Sequence, residues 1–555
     1  VNDALRSLGE EYWEYTLETH PTDALLLGDH RYDDRFELGS REAEDEHIGR
    51  LRAFADRAEA IDPSELTPDE RITREVLIFE ARMDATTAET RPAELAVNPA
   101  MGFQAMLPVL PANFPIETEE QAEAIVTKYR EIGRFITETT ARLREGVATG
   151  RTPPELHVGM VAEQIDAYLD TPIDADPLLG VPAPPVFDEA ATTAWKDHLK
   201  RSIETAIRPA FQEHRDVLTH EVGPAARSMD RPGLASLPDG EVTYGRFVHR
   251  HTTLPMDPRE VHQIGLEQID QLADEYRVLG VEVLDTLDLD EIFSRLRDDP
   301  ALHFSNGADI VEASDTAMAK AKAEMGNWFG RLPQADCIVR ETASGPTAFY
   351  FRPAADGSRP GTFYINTADP TRWGRYEIEA MAYHEGIPGH HLQLAIAQEL
   401  EDVPDFRRNA YVTAYSEGWG LYSERLADEM GLYGSALERI GMLSADSMRA
   451  GRLVVDTGLH AMGWSRQQAI DYFAQNSPMT LGTITAEVDR YIGMPGQALA
   501  YMIGRLEIMR LRDDVRRKLG PDFDIRGFHD VVLGSGPVPL DTLSRMVHSW
   551  AGETG

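Results

Sequence analysis

Apolar residues recur three and four positions apart along most of the chain, as in Ala122–Leu143, Thr193–Val217, Pro258–Leu279 and Trp464–Phe473. That spacing lines them up on one stripe of an α-helix, so a mainly helical fold is expected. Asp257 before Pro258, with Glu260 in the first turn, is a helix start signal for the third of these segments. Two stretches break the pattern: Thr171–Asp188 is rich in Pro, and Gly223–Asp239 in Gly and Pro. Both read as loops. They place a soft boundary near Gly240, between an N-terminal helical region, 1–239, and a second helical region, 240–555, unless the two share one continuous core. At roughly 100–200 residues per domain, 555 residues allow about three or four domains, or two intimate lobes around one site.

Only Cys337–Asn366 looks strand-like, with β-branched and aromatic runs between Gly and Pro clusters, and a small hairpin or sheet is expected there. No internal repeat or low-complexity tract interrupts the rest.

The charge excludes several partner classes. Asp plus Glu number 94 against 54 Lys plus Arg, a net −40, and such a surface repels phosphates, so neither nucleic acid nor an anionic membrane is an expected partner. Six of the cations are Lys and 48 are Arg; acidity with scarce Lys resembles proteins of salt-loving microbes, although a GC-rich genome also favours Arg. Cys337 is the single cysteine, which rules out an intramolecular disulfide or a Cys-based zinc cluster. No run of about 18 uncharged apolar residues predicts a membrane span. The start, VNDALRSLGEEYWEY, has no basic n-region or apolar h-region, so a cytoplasmic protein is expected; a leader removed before Val1 stays open.

The strongest local signal is Tyr383-His384-Glu385-Gly386-Ile387-Pro388-Gly389-His390-His391. Imidazoles that hold a metal and a carboxylate that takes a proton from water are the parts of a zinc hydrolase. An isolated His-Glu pair is ordinarily solvated or structural, and the cluster is what changes the reading. The usual ligand spacing of four is blocked by Pro388. In an unbroken helix His384 and His390 stand about 9 Å apart along the axis, too far for one tetrahedral ion. A bulge at Gly386–Gly389 resolves this, because Pro cannot donate the helical hydrogen bond and Gly accepts unusual backbone angles. A distorted helix is therefore expected. For the third ligand, Glu417 is the best candidate: it lies 27 residues after His390, the length of a helix-turn-helix return, in Tyr415-Ser416-Glu417-Gly418-Trp419-Gly420. Glu424 shares its helix face, two turns on, and is expected behind the ligands.

These residues resemble the DUF885 family of bacterial and archaeal proteins, whose motif is similar to His-Glu-x-x-Pro-Gly-His followed by Ser-Glu-Gly-Trp. The resemblance extends to His251–Leu266, Gly357–Asn366 and Arg490–Gly504, and more weakly to Val161–Asp170. It implies a helical, zincin-like fold with a deep cleft, similar to the M32 carboxypeptidases. Carried over, the motif puts the metal on His384, His390 and Glu417 and the general base on Glu385, leaving His391 as second choice for a ligand. Met502 departs from the family, which often carries a basic residue there. Zinc would polarise a peptide carbonyl, and Glu385 would move a proton from water to the leaving amine. Tyr501, with Tyr491 behind it, is the candidate donor to the oxyanion, unless both are core aromatics. Arg490 and Arg505 are candidates for a substrate carboxylate or for structural ion pairs.

A zinc-dependent peptidase, in one form a carboxypeptidase, is thus expected, with a peptide or small amide as substrate. A zinc hydrolase of a non-peptide amide or ester uses the same parts, and a metal-free peptide-binding protein is the rival from another class. No Gly-x-Ser-x-Gly elbow or phosphate-binding Gly-x-x-x-x-Gly-Lys loop occurs.

Overall fold

A computed structural model of the chain describes residues 2–343, 345–354, 359–401 and 403–554. It divides into two compact units, one formed by Asn2–Asp62 and Glu80–Thr243, the other by Pro63–Phe79 and the chain from Tyr244 onward. The soft boundary at Gly240 thus falls at the start of the helix Gly240–Thr252. The short excursion 63–79, which joins the second unit, carries no signal of its own in the sequence.

The first unit is helical and is organised on α1 (Glu119–Thr149). Thr118 and Gln121 close a reciprocal capping box at its start, and Gly150 ends it at φ 74°, a left-handed angle that a glycine adopts without a Cβ clash. Ile125, Tyr129, Ile132, Ile136 and Leu143 form its buried stripe. The expected helix over Thr193–Val217 is continuous from Glu189 but widens to a π-turn at Ile203–Ile207, just before Pro209, which has no N–H to continue the regular ladder. The Pro-rich loop after Thr171 is pinned to the core, since Tyr129 donates its hydroxyl to the Leu178 carbonyl at 2.5 Å.

In the second unit, α2 (Pro258–Leu284) starts where expected, with Asp257 accepting from the Arg259 N–H. It is followed by α3 (Gly307–Trp328) and by the strand-like island, which folds as β1 (Cys337–Thr342), β2 (Ala348–Phe351) and β3 (Gly361–Asn366). The island is a mixed three-stranded sheet in the order β1-β3-β2, with β1 parallel and β2 antiparallel to β3, more than a simple hairpin. Phe363 and Ile365 of the central strand are fully buried. Of the family-like stretch Gly357–Asn366, positions 357 and 358 lie outside the described residues.

The His384–His391 motif spans α4 (Ile378–Glu385) and the start of α5 (His390–Gln398), followed by α6 (Thr413–Glu429), α7 (Ala436–Ala461), α8 (Leu481–Gly493) and α9 (Ala500–Leu519). Helix α2 packs along α7, α6 along α9, and α4 against α3, α6 and α7. Where α6 crosses α9 the backbones nearly touch: a Cβ on Gly504 would stand 1.9 Å from the Ala414 carbonyl oxygen, and one on Gly418 2.5 Å from Gly504. Among the described residues no helix is long and apolar enough to cross a membrane.

Candidate metal centre

The helix breaks between Glu385 and His390. Gly386 and Gly389 take ψ angles of −114° and −126°, Ile387–Pro388 is a cis peptide, and the His391 N–H reaches back five residues to the Gly386 carbonyl. A Cβ on Gly389 would meet the His384 carbonyl oxygen at 1.9 Å, so only glycine permits so tight a return. The Trp419 indole on α6 holds the break, donating to the Pro388 carbonyl at 2.9 Å, and Ser423 donates to the Tyr383 carbonyl at 2.9 Å.

The break folds His390 back beside His384, with ring centroids 4.8 Å apart and planes nearly perpendicular. Glu417 on α6 closes the group: its Oε2 stands 3.3 Å from His390 Nε2 and 3.7 Å from His384 Nε2, and all three side chains are buried. Gly420, one turn on, leaves room for the imidazole, since a Cβ there would come within 2.8 Å of His384. One ligand atom from each residue lies within 4.8 Å of the others.

Ligands at about 2.1 Å around one tetrahedral ion stand about 3.4 Å apart, which matches the separations of Glu417 Oε2 from the two imidazole nitrogens. The orientation of the rings fits as well. His384 Nδ1 is bonded to Glu424 Oε1 at 2.8 Å, so Nε2 is the nitrogen that faces Glu417. His390 Nδ1 is buried and has no hydrogen-bond partner, so Nε2 is the nitrogen with somewhere to act. Two imidazoles and one carboxylate are a zinc-type donor set that leaves a fourth position open. Burial disfavours a charged His384, but Glu417 and Glu424 outweigh it and raise this imidazole to about 9; burial likewise works against an ionised Glu417, and the two histidines nonetheless hold it well below the carboxylate range. The pocket thus stabilises positive charge between these side chains.

The other predicted residues separate clearly. His391 is turned away from the centre: its Nε2 faces the Ala335 carbonyl at 3.0 Å, so that nitrogen carries the proton, and Nδ1 accepts the Tyr350 hydroxyl at 2.8 Å. Burial lowers it to about 4. Glu385 is half-buried at the end of α4, close enough to bear electrostatically on His384 and Tyr411. Tyr501 lies face-on to His384, centroids 6.4 Å apart, with the Arg452 guanidinium 4.5 Å from its own centroid. Burial and the nearby Glu417 raise its phenol. Tyr491, in contrast, is a core residue whose hydroxyl is spent on Glu487 and Arg452. Arg490 pairs with Glu487 and Arg505 with Asp446, so both serve ion pairs. Met502 is fully buried.

Residues 21–547 match a family described as bacterial protein of unknown function, DUF885. The chain belongs to this family. No curated protein matches the sequence of this DUF885 protein. Its fold is that of the crystal structure of a candidate lipoprotein from Colwellia psychrerythraea, 24% identical over 99% of both chains with a TM-score of 0.91. A candidate lipoprotein of unknown function from Shewanella oneidensis is also similar, 18% identical over 98% of this chain and 99% of that one, with a TM-score of 0.78.

Two residues near this DUF885 centre have no signal in the sequence. Tyr411 donates its hydroxyl to Glu417 Oε1 at 2.6 Å. Arg352, just past β2, lies in electrostatic range of Tyr411 and Tyr350, and burial pulls its guanidinium below the usual range. A tyrosine six residues before Glu417 and an arginine just past a distant strand follow no spacing rule.

Proposed function

We propose that this DUF885 protein is a zinc-dependent peptidase, built on a zincin-like helical fold of the M32 carboxypeptidase kind. The observation that carries the reading is the convergence of His384 Nε2, His390 Nε2 and Glu417 Oε2 at separations suited to one ion, with Glu385, next in the chain to His384, in electrostatic range. When bound, zinc supplies Lewis-acid polarisation of a carbonyl and makes water acidic at neutral pH. Glu385 is the carboxylate that takes the proton from water and delivers it to the leaving amine. Tyr501 offers a hydroxyl to the carbonyl oxygen as it gains charge. Glu424 orients His384 through Nδ1 and makes it a better donor.

The carboxypeptidase form of the reading rests on Arg352. Burial desolvates its guanidinium, which lies in electrostatic range of Tyr411, and a desolvated guanidinium is suited to a planar carboxylate such as a peptide C-terminus. The Colwellia and Shewanella structures are of candidate lipoproteins, which sets an exported, lipid-anchored location beside the cytoplasmic one; fractionation of the native host decides between them.

The test is metal analysis of the purified protein together with digestion of a mixed peptide library read by mass spectrometry. One zinc per chain and loss of C-terminal residues, blocked by C-terminal amidation, are expected. A protein that binds no metal is the peptide-binding alternative, and zinc without peptide cleavage points to a non-peptide amide or ester.

A further inference from the structure

The two carboxylate oxygens of Glu417 face different partners. Oε2 looks at both imidazoles, whereas Oε1 accepts the Tyr411 hydroxyl at 2.6 Å. A carboxylate can hold a cation through one oxygen or through both, and a hydroxyl bonded to Oε1 draws on that oxygen's charge and disfavours the second option. Tyr411 is 44% exposed while Glu417 is 8% exposed. The ring is partly exposed while its hydroxyl reaches inward to the buried Glu417, so the bond to Glu417 is the polar contact this side chain provides. Among the described residues the hydroxyl bonded to Glu417 is that of Tyr411, whereas Tyr501 lays its ring along His384.

We propose that Tyr411 is a positioning residue that keeps Glu417 a one-oxygen ligand, so that the fourth place of the three-ligand centre stays open. This rests on the metal-centre reading above. The variant that tests it is Tyr411→Phe in the full chain, loaded with zinc or with cobalt(II) as a visible probe. The metal-free melting midpoint should stay as in the wild type. The zinc dissociation constant should rise by about tenfold, the lower end of what outer-shell partners contribute. The visible bands of the cobalt protein should lose several-fold in intensity, as a four-coordinate site becomes five-coordinate. Glu385→Gln, which leaves the Tyr411–Glu417 bond intact, should keep the wild-type cobalt spectrum.

A Tyr411→Phe protein with unchanged spectrum and zinc affinity overturns the positioning role and leaves the metal centre standing. A wild-type protein that takes up neither zinc nor cobalt overturns the metal centre and this proposal with it. X-ray absorption on zinc-loaded wild type needs no variant: one oxygen from Glu417 supports the role, and a two-oxygen carboxylate refutes it.

Discussion

Trp419 donates its indole N–H to the Pro388 carbonyl at 2.9 Å, so the helix that presents Glu417 also holds the break that returns His390 to His384. The position of Glu417 and the geometry of the two histidines are therefore coupled through one fully buried side chain. Trp419→Phe leaves the carbonyl without its donor and part of the ring's volume empty. A loss of about 1–3 kcal/mol in stability is expected from the unpaired carbonyl, with weaker zinc binding as the loop relaxes. Melting curves with and without zinc check this: a variant with lowered melting but unchanged zinc affinity separates the scaffold from the centre.

Ligand, base and orienting residues should divide by zinc content. His384→Ala, His390→Ala and Glu417→Ala each delete a donor and should lose the metal. Glu385→Gln should keep zinc and lose most turnover, because an amide cannot accept the proton. Glu424→Ala should weaken zinc about 10–100-fold through His384. His391→Ala should retain zinc but melt lower, since it frees the Tyr350 hydroxyl and the Ala335 carbonyl. Retention of zinc by His390→Ala with its loss from His391→Ala is the pattern that reverses the ligand register.

Acid should destabilise the first unit through His214. Its ring is buried against the Thr140 hydroxyl at 2.7 Å, and burial lowers it to about 4. An unfolded histidine takes up its proton near pH 6.5, so between about 6.5 and 4 the unfolded chain binds a proton that the fold does not. Stability is then lost as pH falls through that window, by roughly 3 kcal/mol at its lower end. Thermal melts from pH 7 to 4 should show the fall, and His214→Gln should flatten it; an equal slope in the variant assigns the loss to other groups.

Salt should raise the melting midpoint. A net charge of −40 repels itself at low ionic strength, and screening reaches about 3 Å near 1 M. Melts across a KCl series check this, and a flat or falling midpoint removes the case for adaptation to salt.

Features set by short-range rules were legible in the sequence. The 3.6-residue stripe of α1, the Asp257 cap of α2 and the β-branched run at Cys337–Asn366 each depend on a few consecutive residues, and each appears as an element of the fold. The break in the metal helix was legible for the same reason, because Pro388 and its flanking glycines exclude a regular helix by local sterics alone. What required tertiary structure is contact between residues distant in sequence. The parallel pairing of β1 with β3, the attachment of 63–79 to the second unit, and the facing of His390 toward Glu417 while His391 turns to Ala335 depend on neighbours that the chain brings in from elsewhere. Tyr491 and Tyr501 are alike in sequence, yet one points into an Arg452–Glu487 network and the other along His384, because α8 and α9 are separate helices with different packing partners. Tyr411 and Arg352 likewise gain their roles only from the folded arrangement, since hydrogen bonding and desolvation depend on distance in space and leave no periodic trace along the chain.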